Sequence, residues 1–171
     1  MVAPAGWRQI REFYDWPEER VLIRDNFIIL PHGWEEVHLV TLDLPDAVLL
    51  YGRIPIRRML VHRLVYSSLV GIFDTLCALG NWKLIKTYEG CFCPRLKRRG
   101  GTYPSMHAMA AALDFNALTC PMGEKGSQPT VLVELFQSNG WTWGGDFGKQ
   151  MDGRQDMRQS DPMHFQFGSG Y

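Results

Sequence analysis

The carboxylate of Asp114 constrains the fold of this chain more than any other side chain, because it stands inside an apolar run. Its neighbours over residues 110–115 are otherwise alanine, leucine and phenylalanine. A charge buried without a partner is costly, so the fold must bring a compensating group to this position. His164 has a similar setting in the largely apolar stretch 163–167. Two segments that are distant in sequence therefore each carry a polar side chain that needs a partner.

The pattern of apolar residues predicts few helices and several short strands. Helical spacing over 55–79 predicts the longest helix, which Gly80 would end, and a second helix is predicted over 130–138. Strands are predicted at 26–30, 37–42, 82–88, 141–143 and 163–167, loops at 90–104 and 144–160, and a helical turn entering a strand at 110–116. Without regular alternation of strand and helix, we expect an α+β fold with a small, mostly antiparallel sheet flanked by helices.

Length and charge exclude several classes of protein. A chain of 171 residues predicts one domain over 1–171, and we expect a monomer. Eighteen basic and 18 acidic residues leave no net charge, which argues against nucleic acid as the main partner. The most apolar stretch, 64–79, contains Asp74 and is shorter than the ~20 residues that span a bilayer, so no stable membrane insertion is expected. The N-terminus has no apolar signal-peptide core, so we expect synthesis in a cytoplasm.

Two histidine motifs indicate a catalytic zinc site. Asp114 lies seven residues after His107 of the Ser105-x-His107 motif, and Asp161 lies three residues before His164. Imidazole and carboxylate groups suit zinc, and three protein ligands with one open position are typical of a catalytic ion. Asp161 could then take a proton from a water whose pKa zinc lowers from 15.7 to about 7. Taken singly, each histidine is more often a hydrogen-bonded structural or surface residue, so spacing alone leaves both interpretations open.

The same residues resemble the paired motifs of a known family. Ser105-x-His107-x₆-Asp114 and Asp161-x-x-His164-Phe165 are similar to the motifs of zinc peptidases that cut peptidoglycan stem peptides. This family includes VanX- and VanY-type D,D-peptidases and phage-endolysin L-alanyl-D-glutamate peptidases, and it shares its fold with the Hedgehog signalling domain. Residues 88–95 and 140–147 resemble two further segments in the family's order. The resemblance runs over 82–167, whereas 1–55 match only vaguely.

The resemblance implies one catalytic zinc ion and a set of site residues. The metal ligands would be His107, Asp114 and His164. Asp161 would be the catalytic acid–base, Arg95 would hold a substrate carboxylate or the oxyanion, and Ser105 and Trp143 would lie against the substrate. The chain departs from the family twice: Asp161 replaces the glutamate of many members, as in the endolysin-like branch, and Ala110 replaces a glycine.

Several other residues have a functional and a structural interpretation. Tyr103 is a candidate substrate contact that would donate to an oxyanion. Four arginines, which are otherwise solvated loop charges, could line a groove that attracts substrate carboxylates: Arg98, Arg99, Arg154 and Arg158. The cysteines are expected to be reduced thiols, with a disulfide from Cys91 or Cys93 to Cys120 as the alternative. His32 and His38 are interpreted as structural or surface residues, and His62 as an interface or surface residue.

The expected function is that of a zinc-dependent peptidoglycan peptidase of the endolysin type, acting on stem peptides at the L-alanyl-D-glutamate bond. We expect synthesis in a host cytoplasm without a signal peptide, and action on the cell wall after release. A D-alanyl-D-alanine carboxypeptidase or dipeptidase is the alternative within the class. A secreted toxin would use the same chemistry. The alternative from another class is a non-catalytic, Hedgehog-like zinc-binding interaction module, which would have no need of Asp161 and Arg95.

Overall fold

The structure, a computed structural model, describes residues 1–98 and 101–170. Within them, the helices are α1 (Gly6–Phe13), α2 (Trp34–His38), α3 (Arg63–Ala78) and α4 (Thr130–Ser138). The strands are β1 (Leu22–Arg24), β2 (Phe27–Ile29), β3 (Leu39–Leu50), β4 (Ile54–His62), β5 (Thr87–Gly90), β6 (Ala112–Phe115), β7 (Thr142–Trp143) and β8 (His164–Gln166). Short 3₁₀ turns lie at Glu18–Arg20, Trp82–Leu84, Met106–Met109 and Gly144–Asp146.

Strands β3 to β8 form one sheet in the order β4-β3-β5-β6-β8-β7. Every neighbouring pair is antiparallel except β3 and β5, which run parallel. Strands β1 and β2 form a separate hairpin whose turn residues, Asp25 and Asn26, both have positive φ. The expected α+β class with a small, mostly antiparallel sheet is therefore confirmed. No helix in the described part of the chain has the length and apolar character needed to cross a bilayer.

The prediction of one helix over 55–79 is wrong at its N-terminal end. Residues Ile54–His62 form β4, and its register with β3 places Met59 opposite Leu42. Met59 and Val61 are buried, whereas Leu60 between them is 39% exposed. This period of two is that of a strand. The apolar residues of β4 also fit helical spacing, so only the pairing with β3 decides between the two structures.

His62 lies at the junction of β4 and α3, and it is fully buried instead of lying at an interface or surface. Its Nδ1 accepts the backbone N–H of Leu64 at 3.2 Å and so caps α3. Its ring packs edge-on against Tyr14, with centroids 4.9 Å apart, and lies 5.6 Å from the ring of His38. Burial and the nearby His38 disfavour the charged form, which lowers the pKa of His62 to about 4.

The other predicted elements are confirmed in whole or in part. Helix α4 has the predicted bounds, and β2, β6, β7 and β8 lie inside predicted stretches. The predicted strand 37–42 begins as α2 and becomes β3 only at Leu39, and 82–88 begins as a 3₁₀ turn before β5. Within the predicted loop 144–160, Gly144 and Gly145 are buried in a 3₁₀ turn. Helix α1 and strand β1 were not predicted.

The core fixes which face of the sheet the site occupies. Phe136 of α4 packs on Phe165 of β8 and on Phe115 of β6, with ring centroids 4.5 and 6.1 Å apart. All three rings are fully buried. Successive side chains of a strand point to opposite faces. The neighbours of these strand phenylalanines, Asp114 and His164, therefore lie on the other face of the sheet.

The N-terminal segment packs along residues 167–170. The Gly6 N–H donates to the Ser169 carbonyl at 2.8 Å, and Ala5 forms a parallel bridge with Ser169. The buried hydroxyl of Tyr14 donates to the carbonyl of Phe167 at 2.5 Å. Because Ser169 also lines the cavity that contains Asp114 and His164, this contact holds one wall of that cavity in place.

Candidate active site

Strand pairing brings the two polar residues of the apolar runs together. In the register of β6 with β8, Asp114 lies directly opposite His164. His107 reaches the same place from the 3₁₀ turn that precedes β6, because Ala110, with a φ of 52°, reverses the chain between the two elements. The partner that Asp114 requires is therefore a pair of histidines.

These three side chains form a compact cluster. Asp114 Oδ1 lies 3.0 Å from His164 Nδ1 and 3.2 Å from His107 Nε2, and the two imidazole nitrogens are 3.2 Å apart. One ligand atom from each residue lies within 4.8 Å of the other two. Both histidines are buried, and the Asp114 side chain is 17% exposed. Two imidazoles and one carboxylate are a donor set that suits zinc.

Hydrogen bonds on the far side of each ring fix which nitrogen faces the cluster. His107 donates from Nδ1 to the Cys91 carbonyl at 2.9 Å, which turns Nε2 toward the cluster. Gln166 donates its amide N–H to the Gly168 carbonyl at 2.8 Å, so its Oε1 accepts from His164 Nε2 at 2.9 Å and Nδ1 is turned toward the cluster. Such outer partners orient metal-binding histidines. Both the donor atoms and the hydrogen bonds that orient them therefore fit a bound metal ion.

The charges in the cluster are coupled. Burial alone would raise the pKa of Asp114, but the attraction and hydrogen bonds of His107 and His164 outweigh it, so this pKa lies well below its ordinary value. Burial alone would lower the pKa of His164, but the hydrogen bond and charge of Asp114 raise it. The cluster is therefore a buried carboxylate that holds positive charge close to itself.

Asp161 lies in the same cavity as the cluster but has a different environment. Its backbone N–H donates to the Gly144 carbonyl at 2.8 Å, and its carbonyl accepts the His164 N–H at 3.0 Å. A Cβ at Gly144 would lie 2.4 Å from the Asp161 carbonyl oxygen, so only glycine allows this approach. Asp161 Oδ1 is buried and has no hydrogen-bond partner among the residues that the structure describes. Burial raises the pKa of this carboxyl, while the charges of His164 and Arg98 oppose the rise.

The cavity has a volume of about 880 Å³, and its lining includes His107, Asp114, Asp161 and His164. Arg95, Ser105 and Gln166 also line it. Basic side chains outnumber acidic ones on its described walls, and they comprise Arg95, Lys97, Arg98 and Arg158. Arg154 does not line it and pairs with Asp152, and Arg99 lies outside the described residues.

Arg95 is held by backbone contacts on both sides. It forms an antiparallel bridge with Phe27 of β2, and the Leu96 N–H donates to the Asn26 carbonyl at 3.0 Å. On the other side, the Ser105 N–H donates to the Arg95 carbonyl at 3.0 Å. The N-terminal hairpin therefore sets the position of a residue in the cavity wall.

The three predicted substrate contacts differ in where they lie. Ser105 lines the cavity, and its Oγ also accepts the His107 N–H at 3.4 Å at the start of the 3₁₀ turn. Trp143 does not line this cavity, because its ring lies over Gly145 and its Nε1–H donates to the Pro162 carbonyl at 2.8 Å. Tyr103 does not line it either; its ring packs on Trp7, with centroids 5.4 Å apart.

Two contributors were missed by sequence reasoning. Gln166 carried one available signal, since it stands two residues after His164 on a strand and so lies on the same face. The Cys91 carbonyl could not be predicted as a partner of His107, because any residue type has a backbone carbonyl.

All four cysteines are free thiols, and Cys91 and Cys120 are buried. The structure therefore contains no disulfide between Cys120 and Cys91 or Cys93.

Fold and site together define a small α+β protein with a buried His–Asp–His cluster suited to a metal ion, set in a large basic cavity. Residues 98–167 match a family model described as D-alanyl-D-alanine carboxypeptidase. The matched range contains His107, Asp114, Asp161 and His164, and it begins after Arg95. No curated protein and no solved structure gives a significant match to the chain. The match supports a peptidase of the kind that acts on peptidoglycan.

Proposed function

We propose that the protein is a zinc-dependent peptidase that hydrolyses peptidoglycan stem peptides. The observation that carries this proposal is the placement of the buried His107–Asp114–His164 cluster and the unpartnered Asp161 carboxylate in one cavity. A structural metal site would be closed, whereas this cluster borders open space and a free proton acceptor.

The cluster would hold zinc through His107 Nε2, one carboxylate oxygen of Asp114 and His164 Nδ1. A zinc ion held there supplies Lewis-acid polarisation of a carbonyl and makes hydroxide available near neutral pH. Gln166 and the Cys91 carbonyl keep the two rings in the required tautomers. Zinc content of the purified protein is the direct test of this ligand set.

Asp161 and Arg95 would perform the remaining steps. Asp161 Oδ1, which has no hydrogen-bond partner in the described part of the chain, would accept a proton from the attacking water and pass it to the leaving amine. Its burial favours that transfer, because the raised pKa makes the carboxylate a better base. Arg95, anchored on both sides by backbone contacts, would bind a substrate carboxylate or the developing oxyanion.

The L-alanyl-D-glutamate bond is the cleavage site that we propose. An endopeptidase needs room for the peptide on both sides of the scissile bond. Gly148 and Gly170, from the glycine-containing segments on either side of His164, both line the cavity. The aspartate at 161 is also the residue of the endolysin-like branch. The description of the matching family favours a second candidate, a D-alanyl-D-alanine carboxypeptidase.

The proposed setting is that of an endolysin. The protein would act as a monomeric, single-domain enzyme, be made in a host cytoplasm, and reach the cell wall after release. A Hedgehog-like binding module is disfavoured because such a module would need neither Arg95 in the cavity nor an unpartnered Asp161.

Digestion of purified peptidoglycan, with mass analysis of the fragments and labelling of new N-termini, tests the function. New N-terminal glutamate with little free D-alanine is expected, whereas free D-alanine as the main product would establish the carboxypeptidase. Asp161→Asn should keep zinc and lose about 10²–10⁴-fold in rate. Asp152→Asn, an exposed aspartate paired with Arg154, is the matched control and should keep full activity. No digestion by the zinc-loaded protein would refute the proposal.

A further inference from the structure

The cavity lining contains a large aromatic side chain, Phe147, that the core does not use. Phe147 and Met122 are both partly exposed, whereas Met106, which also lines the cavity, is fully buried and offers no surface to a ligand. Among the described residues, Phe147 neither belongs to the hydrophobic core nor packs against it. Apolar side chains in a concave site are the kind of surface that a bound ligand covers. Phe147 is therefore available to a substrate.

Phe147 lies beside both the metal-binding cluster and the proposed base. Its ring is next to the imidazole of His164, with centroids 5.9 Å apart and an angle of 51° between the planes. Its backbone N–H donates to the Gly144 carbonyl at 3.0 Å, and the same carbonyl accepts the Asp161 N–H at 2.8 Å. One backbone acceptor thus positions the ring and the base together. A side chain next to the reacting carbonyl of a substrate would come within reach of this ring.

The backbone after Phe147 holds the ring in this place. The Gln155 side-chain amide donates to the Phe147 carbonyl at 2.9 Å. Gly148 has a φ of 76°, and a Cβ there would lie 2.5 Å from the Asp156 carbonyl oxygen, so the close packing of these two segments requires glycine. The ring position is therefore set before any ligand binds.

Arg95 adjoins the other histidine of the cluster. Its carbonyl accepts the Ser105 N–H at 3.0 Å, and Ser105 begins the 3₁₀ turn that carries His107. Phe147 lies instead against His164. A peptide that crosses the cluster therefore meets an apolar ring on one side and a guanidinium group on the other.

We propose that Phe147 is a specificity-determining residue that binds the side chain of the amino acid before the scissile bond. The inference rests on the proposed function and deepens it by orienting the substrate. In both candidate bonds the residue before the cut is an alanine with an apolar methyl group, and the residue after it carries a carboxylate. The methyl group would lie on Phe147, and the carboxylate would bind Arg95.

Calorimetric titration of two synthetic stem peptides tests Phe147 without turnover. The peptides carry alanine or glycine before the glutamate and are otherwise identical, and every protein carries Asp161→Asn to suppress cleavage. This background protein should bind the alanine peptide about fourfold more tightly, the effect of burying one methyl-sized group. Phe147→Ala should bring the ratio close to one. Phe147→Leu, which keeps an apolar side chain, should retain most of it.

Phe27→Ala is the matched control, because it makes the same substitution at an exposed phenylalanine outside the cavity lining, and it should leave the ratio unchanged. A second pair of peptides, with the glutamate α-carboxylate free or amidated, separates the two sides of the cluster. The preference for the free carboxylate should disappear in Arg95→Gln and persist in Phe147→Ala.

Equal binding of the alanine and glycine peptides by the background protein would overturn the role of Phe147, as would a ratio that survives in Phe147→Ala. Loss of the ratio in Phe147→Leu or Phe27→Ala would also overturn it, because apolar surface at position 147 would then not be the cause. Loss of the carboxylate preference in Phe147→Ala would contradict the proposed orientation. Because binding is measured, the expected preferences in a protein whose unmodified form cleaves neither peptide would refute the proposed function alone.

Discussion

Replacement of Gln166 by methionine should weaken zinc binding without removing a ligand. Gln166 is buried and makes two hydrogen bonds, one from His164 Nε2 at 2.9 Å and one to the Gly168 carbonyl at 2.8 Å. Methionine has a similar volume but no comparable acceptor. Loss of an outer partner of a metal-binding histidine lowers affinity by about 10–100-fold, or about 1.4–2.7 kcal/mol.

The second hydrogen bond gives a separate signal. A buried Gly168 carbonyl left without its donor destabilises the fold by about 1–3 kcal/mol, whether or not zinc is bound. That cost cancels in the zinc dissociation constant and appears only in the thermal or urea unfolding of the metal-free protein. Competition against a chromophoric chelator measures the first effect, and unfolding in excess chelator measures the second.

Gln159→Met is the matched control for this experiment. Gln159 lines the same cavity, but its amide donates to the partly exposed loop carboxylate of Asp156 at 3.2 Å and not to a histidine. Zinc affinity should therefore stay within about twofold of the unmodified protein, a change below about 0.4 kcal/mol. Unchanged affinity in Gln166→Met, or an equal loss in Gln159→Met, would refute the assignment of His164 Nδ1 as the metal-facing nitrogen.

Three further predictions concern the fold and the ligand set. The pKa of His62 is about 4 in the folded protein and 6.5 in the unfolded chain. As the pH falls from 6.5 to 4, the unfolded chain is protonated first, so the free energy of unfolding decreases. His62→Asn keeps a capping side chain and should reduce this decrease in the free energy of unfolding by up to about 3 kcal/mol, measured by urea titrations between pH 7 and 4. The same pH dependence of stability in the variant and the unmodified protein would contradict this prediction. Tyr14→Phe removes the donor to the Phe167 carbonyl and should lower the free energy of unfolding by about 1–2 kcal/mol; an unchanged urea midpoint would count against this contact. His107→Ala should leave less than stoichiometric zinc after dialysis, and one retained equivalent would exclude His107 as a ligand.

The placement of the cluster was accessible from sequence for a physical reason. A carboxylate buried within residues 110–115 and a histidine buried within 163–167 are both costly without a partner. Their residue types and apolar surroundings therefore predict that the two side chains meet. The strand character of β4 was not accessible, because Met59, Leu60 and Val61 satisfy helical and strand periodicity equally well over so short a span. The pairing of β4 with β3 decides it, and that pairing is a tertiary property.

Side-chain direction set the other limit on prediction. Trp143 was expected against the substrate, but its indole turns to the Pro162 carbonyl because Gly145 leaves space for the ring. The contribution of Gln166 depends on the register of β8 and on the donor bond to Gly168. A backbone carbonyl, or the space left by a glycine, has no recognisable pattern in the sequence. The contacts of Trp143 and Gln166 could therefore be identified only from the three-dimensional structure.

The sheet order has a consequence for any shortened version of the protein. Residues 98–167 include β6, β8 and β7, whereas β5, the other neighbour of β6, lies at Thr87–Gly90. A fragment cut where the family match begins would therefore turn β6 from an interior strand into an open edge. Such an edge, carrying Leu113 and Phe115, invites pairing with a second copy and aggregation. The same cut would discard Arg95, so insolubility and loss of the cavity wall would come from one truncation.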